Sequence, residues 1–343
     1  MKSGKRFWLT TAAVVVCSLV APLVLGSGNT TVWMFSGFDA LIVLGLCLLM
    51  GYTGQISIGQ AAFFGIGAYS VAILSGKDHW PMPASMAVGV ILAAVVSLLI
   101  GGAIFRLSGH FLALGTLAFG YVVSAVMGQS QLTGGAVGIS GIPVLSFLGH
   151  SFSSSSPVFS AYVIWAIVVI CMIGFHFMLR SPAGMALHAI RDDEVAASSL
   201  GVGVLRYKLQ VFAISAAIAA LAGALYAPYL SYISSEPFGV SASIQFLLMA
   251  AIGGMGLSGA VVGAVVVSFL GQGLTDLSAH FTGMNPGTLE LFAYGLLLVV
   301  VMLISWDRLK LDVFLSSLIG RRETALVTDG SQAQTSLKSA HEQ

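Results

Sequence analysis

Long apolar runs separated by short polar stretches dominate the chain, at 7–26, 34–50, 58–74, 82–105, 111–128, 158–179, 209–230 and 289–305. Roughly 20 apolar residues cross about 30 Å of hydrocarbon, so each run predicts a membrane-spanning helix. The run 241–273 is too long for one ordinary span and is broken in its middle by GGMGLSGA, Gly253 to Ala260.

The distribution of basic residues decides how that run is counted. Lys2, Lys5 and Arg6 precede the first run and place the N-terminus in the cytoplasm. Counting forward puts Arg106 inside, and likewise the loop holding Arg180, Arg191, Arg206 and Lys208. A single crossing at 241–273 would put Arg308, Lys310, Arg321 and Arg322 outside, against the positive-inside tendency. A hairpin or pair of short spans returns them to the cytoplasm. The expectation is an all-α, polytopic helical bundle of about ten passes (8–10) with both termini cytoplasmic. It forms one transmembrane domain over 1–305, and Lys77 is the only basic residue on the external face. The polar stretch 306–343 reads as a partly disordered cytoplasmic tail. MKSGKRF followed by an apolar stretch also fits a signal peptide, but the run is long for one and lacks a clear small-x-small cleavage site.

Composition agrees, with 57% hydrophobic and 8% charged residues and a mean hydropathy of +0.97. A net charge of +1 argues against a nucleic-acid partner, which needs a basic patch. Cys17, Cys47 and Cys171 lie inside apolar runs without metal-ligand spacing, so neither a disulfide framework nor a metal site is expected.

Three polar interruptions remain to be explained. GYTGQISIGQ, Gly51 to Gln60, separates two apolar runs. Irregular backbone in a membrane survives only where protein or a watery cavity surrounds it. Thr53, Gln55, Ser57 and Gln60 offer hydrogen bonds across helices or to a passing solute, while Gly51, Gly54, Gly59 and Gly65 suit close helix packing. Both readings stand on the residues alone. LTGGAVGISGIP, Leu132 to Pro143, contains four glycines and a proline, which favour turns. It is either a flexible loop or an external funnel whose backbone, with Thr133, Gly134 and Gly135, lines the path. Gly253, Gly254 and Gly256 mark the turn of the paired short spans.

The third interruption is RSPAGMALHAIRDDEVAASSLGV, Arg180 to Val202. At about 100° per residue, Leu187, Ile190, Ala197, Gly201 and Glu194 share one face, and His188, Arg191, Asp192 and Ser199 the other. Pro182 suits a helix start and Gly201 its end. The mixed-sign cluster Arg191, Asp192, Asp193 and Glu194 would hold anionic lipid poorly, so this helix is expected to dock on a soluble protein.

Several chemistries lack their motifs. No GxxxxGK[ST] phosphate loop, HExxH or GxSxG is present, which excludes ATP hydrolysis by a phosphate loop and argues against a membrane enzyme. Ion-coupled carriers commonly hold a titratable group deep in a span. Asp39, Asp276 and Glu290 are expected near span ends, and His176 is the nearest proton-relay candidate.

GYTGQISIGQAAFFGIGAY, FLALGTLAFG, LTGGAVGISGIP, GMALHAIRDDEVAASSLGV, RYKLQVFAISAAIAALAGALYAPYLSYISSEPFG and LLMAAIGGMGLSGAVVGA occur in this order between about residues 38 and 305. Together they resemble the LivM-type permeases of branched-chain amino-acid ABC importers. The resemblance implies that Glu194, Ala196, Ala197 and Gly201, matching Glu-x-Ala-Ala-x-x-x-Gly, belong to an ATPase-coupling helix at about 183–202, with Arg191, Asp192 and Asp193 beside them. It further implies two ABC ATPase subunits that use ATP and Mg, a second related permease, a soluble binding protein, and a bacterial inner membrane with its lipid around the chain. No cofactor would be held by this chain. The implied cargo is a branched-chain or other hydrophobic amino acid, with urea or a short amide as the alternative, and an ion-coupled secondary carrier as the alternative of a different class. Many family members follow LAFG with an acidic residue and an arginine, where this chain has Tyr121, Val122, Val123 and Ser124.

Overall fold

A computed structural model describes residues 2–24, 26–105, 110–147, 150–254, 256–278, 292–297 and 299. Most of the run 289–305, all of 306–343, and Arg106, Arg308, Lys310, Arg321, Arg322 and Glu290 lie outside the described residues. The chain divides into two compact units, Met1–Leu291 and Phe292–Gln343; in the second, 292–297 are helical.

In the first unit the apolar runs become α1 (Lys2–Val24), α2 (Ser27–Thr53), α3 (Gln60–Val71), α4 (Met82–Ile104), α5 (His110–Gln129), α6 (Pro157–Arg180), α9 (Val204–Leu230), α10 (Val240–Ile252) and α11 (Leu257–Ser278). Between α6 and α9 lie α7 (Pro182–Asp192) and α8 (Glu194–Ser199). Six described helical segments are long and apolar enough to cross a membrane, namely Gly28–Thr53, Met82–Ile104, Phe111–Gln129, Pro157–Arg180, Val204–Leu230 and Leu257–Asp276. The class is an all-helical membrane protein. α3 is shorter and continues into a π-helical segment, Ala72–Lys77.

α2 runs through the centre, packed by α6, α9 and α11, with nearly every residue from Met34 to Met50 buried. Lipid tails are as apolar as leucine side chains, so helices in a membrane are held by close packing rather than by a hydrophobic drive. The α3–α9 contact shows how close that packing is. A Cβ on Gly67 would stand 2.0 Å from the Ala220 carbonyl oxygen, and one on Gly223 would stand 1.9 Å from the Phe64 oxygen. Only hydrogen fits at either point. Phe38, Phe64, Tyr226, Tyr229 and Phe238 pack edge-on or tilted around this contact.

The run 241–273 is two helices joined at 253–256. Gly254 turns the chain at φ +77°, and the backbones of Gly253 and Gly259 meet so closely that neither could carry a Cβ. The expected hairpin is therefore what the chain forms, although its second helix, at 22 residues, is a full-length one.

Two expectations need correction. Asp39 is not near a span end. It stands twelve residues into the 27-residue α2, where its Oδ2 accepts a hydrogen bond from Ser268 on α11 at 2.9 Å. Helix α2 begins well before the apolar run that marked it, because Asn29, Thr30 and Thr31 are helical too. The second correction concerns 183–202, which is two helices rather than one. Asp193 is extended (φ −158°, ψ 112°) and divides α7 from α8. Short strands form within and just after the glycine-rich stretch. Ile139–Ser140 (β1) pairs antiparallel with Tyr232–Ile233 (β4), and Leu145–Phe147 (β2) with His150–Phe152 (β3). A Cβ on Gly138 would meet the Ile233 oxygen at 2.1 Å, so the pairing with β4 depends on that glycine.

Candidate functional site: a broken helix and its docking loop

α2 stops at Thr53, where Gly54 adopts the left-handed conformation (φ +68°) that commonly ends helices. α3 resumes at Gln60. Between them the chain is neither helix nor strand, with a bend at Ile58, and burial alternates along it. Gln55, Ser57 and Gly59 are buried, whereas Gly54 and Ile56 are exposed. The polar residues therefore turn into the helical unit, and an isoleucine faces outward.

Five elements hold this stretch. Thr116 of α5 accepts a hydrogen bond from the Ile58 backbone N–H at 3.0 Å, and Ser243 of α10 accepts one from Ala61 N–H at 3.1 Å. Gln60 donates from Nε2 to Ser215 Oγ of α9 at 2.9 Å. Thr53 donates back to Leu49 in its own helix at 2.6 Å. From α7, Arg191 Nη1 reaches the Gly51 carbonyl at 2.6 Å, and the His188 ring stacks on Tyr52 at 5.4 Å and 13°. Gly59 lies tight beneath the Thr116 carbonyl, and Gly65 against Met127 and Phe238. These two glycines serve packing.

Even so, Gln55 Oε1, Ser57 Oγ and Gln60 Oε1 are buried without a hydrogen-bond partner. Each such group costs about 1–3 kcal/mol relative to a satisfied one. Three in six residues mark a place where water or a polar solute would be bound favourably.

The other sequence-derived residues lie elsewhere. Thr133 donates to the Met127 and Ser130 carbonyls at the end of α5, and Gly134 and Gly135 form the following turn with positive φ. Thirteen residues of α5 separate Thr116 from Gln129, about 20 Å at the helical rise, so these three do not join Gln55, Ser57 and Gln60 in one site. Gly253, Gly254 and Gly256 line an apolar cleft of about 660 Å³ with Cys17, Trp33 and Trp165. That lining suits acyl chains better than a polar solute. Tyr121 and Val122 are exposed on α5 and form an apolar surface there. His176 lies edge-on to Trp8. Among the described residues no cluster of His, Cys, Asp or Glu could hold a metal ion.

The loop between α6 and α9 has a defined shape. Pro182 opens α7, and Leu187 and Ile190 are buried beneath it. Asp193 caps α8, its Oδ1 accepting from Val195 and Ala196 N–H at 2.8 and 3.0 Å. Glu194 forms an ion pair with Lys208 at the start of α9. Ala197 is buried, Ala196 and Asp192 are exposed, and Gly201 takes φ +84° just after the helix. Sequence reasoning missed the two large apolar side chains at this tip, Val195 at 74% and Leu200 at 83% exposure. Their signal was present, as apolar residues interleaved with charges in a loop already read as a docking element. Ser215, Ser243 and Thr116 were missed as well, and nothing in the local sequence distinguishes them from other small polar residues.

A helical membrane unit with an interrupted helix and a structured loop at its end is the class these features define. The chain belongs to the family described as branched-chain amino acid transport system / permease component, whose model matches residues 30–302. It is 31% identical over 280 residues to the high-affinity branched-chain amino acid transport system permease protein LivM of Escherichia coli, covering 74% of this chain and 65% of that protein. The LivM of Salmonella typhimurium matches to the same extent. The chain thus spans about two thirds of the length of these relatives. The LivH permease of Escherichia coli is 28% identical over 297 residues, covering 78% of this chain and 92% of its own. No solved structure matches the chain significantly.

Proposed function

We propose that this chain is one permease subunit of an ATP-driven importer in a bacterial inner membrane, carrying branched-chain or similar hydrophobic amino acids delivered by a soluble binding protein. The observation that carries the reading is the non-helical stretch 54–59 which, with Gln60 at the start of α3, holds three unpartnered buried oxygens and is tied to a cytoplasmic docking loop through Arg191 and Gly51. Family membership supports it, and relatives named for branched-chain amino acids favour that cargo over urea or a short amide.

In this account both termini are cytoplasmic, the chain makes about ten passes, and Lys77 stands outside. Two ATPase subunits hydrolyse ATP with Mg and press on the tip at Val195, Ala196 and Leu200. A second permease, of the kind to which LivH belongs, completes the pathway. This chain catalyses no reaction. ATP-driven movement of α7 and α8 would reorient the stretch 54–59, so that Gln55, Ser57 and Gln60 exchange burial for contact with a zwitterionic solute. Such contacts need only be weak, because affinity resides in the binding protein and the path must release what it passes. Asp39, inside α2 and bonded to Ser268, is the titratable group within a span that an ion-coupled carrier would need, and it is family membership that favours ATP coupling over that reading.

The test is uptake by the assembled importer with Gln55→Leu and Gln60→Leu together. The expected result is impaired flux with normal assembly. Unchanged flux would assign the stretch to packing alone.

A further inference from the structure

We propose that Arg191 is a positioning residue which fastens the docking loop to the broken end of α2, so that movement of α7 is delivered to the stretch 54–59 directly rather than through the bundle as a whole. The inference rests on the importer reading. It gives Arg191 a role within this chain, beyond its place in the coupling loop that the family resemblance implies.

The physical case begins with the helix end. The last four carbonyls of a helix have no partner within it, and Gly51 is two residues before the end of α2 at Thr53. The chain turns away at Gly54, so no following turn can supply a donor. The helix dipole also leaves partial negative charge at this end. A guanidinium answers both needs, and Arg191 Nη1 donates to the Gly51 oxygen at 2.6 Å, a short hydrogen bond with a charged donor. Three residues earlier on α7, one turn away, His188 stacks on Tyr52. Two adjacent residues of α2 are thus held by two residues on one face of α7.

The rest of α7 makes it a firm lever. A Cβ on Gly184 would meet the Leu179 carbonyl at 2.1 Å, so the start of α7 is pressed onto the end of α6. Leu187 and Ile190 are buried. Beyond Arg191 come Asp193, which caps α8, and the exposed tip. The order along the chain is therefore tip, cap, fastening. On the other side of Gly51, only Tyr52 and Thr53 intervene before the left-handed Gly54 and the unpartnered oxygens. Arg191 is on the exposed face of α7, so its hydrogen bond can form and break without unpacking the core.

The experiment uses the complete importer, with its partner permease, ATPases and binding protein, in liposomes. Leucine uptake and ATP hydrolysis are measured together for the unaltered chain, Arg191→Met and Arg191→Lys. Methionine keeps much of the side chain's length and removes every donor. The expected result is a fall of about tenfold in leucine taken up per ATP hydrolysed for Arg191→Met, the scale of one charge-assisted hydrogen bond. ATP hydrolysis should stay within about twofold, and Arg191→Lys should recover most of the ratio, because an ammonium can still reach a carbonyl. An unchanged ratio in Arg191→Met would overturn the proposal. So would a parallel loss of uptake and hydrolysis, which would place Arg191 at the ATPase surface. If the unaltered complex takes up nothing with ATP, the importer reading itself fails, and the fastening role falls with it.

Discussion

Gln60 of α3 and Ser215 of α9 are hydrogen-bonded at 2.9 Å across 155 residues of sequence. The bond fixes where α3 resumes after the interruption, because Gln60 is its first residue and Ser215 lies three turns inside α9. Ser215→Ala would leave the Gln60 side chain with neither its oxygen nor its nitrogen partnered. A loss of about 1–3 kcal/mol is expected, read as a lower thermal-inactivation midpoint of the detergent-purified protein. An unchanged midpoint would show that water already satisfies the amide.

The α3–α9 crossing should tolerate no added methyl. Gly223→Ala places a Cβ against the Phe64 carbonyl, which is backbone and cannot swing aside. Folded yield should fall severely. Gly102 and Gly174 also lie within helices, on α4 and α6, but have nothing within 4 Å of the added atom. Their alanine variants should purify normally. Size-exclusion profiles of the three variants make the comparison, and a normal profile for Gly223→Ala would contradict the packing described.

At Asp39 the prediction turns on hydrogen bonding rather than charge. Asn keeps a carbonyl oxygen for Ser268 and removes the charge, so Asp39→Asn should retain assembly and uptake. Asp39→Leu removes the acceptor and should lower stability by about 1 kcal/mol. Thermal midpoints of both variants, with uptake alongside, check this. Loss of uptake in Asp39→Asn without loss of stability would instead point to a role for the charge itself.

The cap of α8 yields a fourth expectation. Asp193→Ala removes an acceptor for two N–H groups and should cost about 1 kcal/mol locally. Asp193→Ser, another good cap, should restore it. Because the cap shapes the tip, weaker retention of ATPase subunits on co-purification is expected for the alanine variant alone. Equal retention in both would remove the tip from the docking account.

Much of this was readable in the sequence, for physical reasons. Hydropathy locates α4, α5 and α6 almost to the residue because their ends are marked by Pro81, His110, Pro157 and Arg180. It places α2 too short, since a helix can begin with Asn29 and Thr30 where the apolar signal has not started. That error is what made Asp39 look peripheral. The interruption at Gly51 to Gln60 was legible from its glycines, but its inward facing was not, because the partners Thr116, Ser215 and Ser243 lie far along the chain. The loop 180–202 was legible as amphipathic. Its division at Asp193 was hidden because a capping aspartate and an aspartate on a helix surface look alike in one sequence.

The central claim is that ATP, spent by partner subunits, drives an amino acid through this chain. The most direct test is uptake of radiolabelled leucine and urea into liposomes holding the assembled importer. Leucine uptake that requires ATP, the ATPase subunits and the binding protein, and that persists in the presence of a protonophore, is the predicted result. Uptake that continues without the ATPase subunits and collapses with the proton gradient would contradict the account.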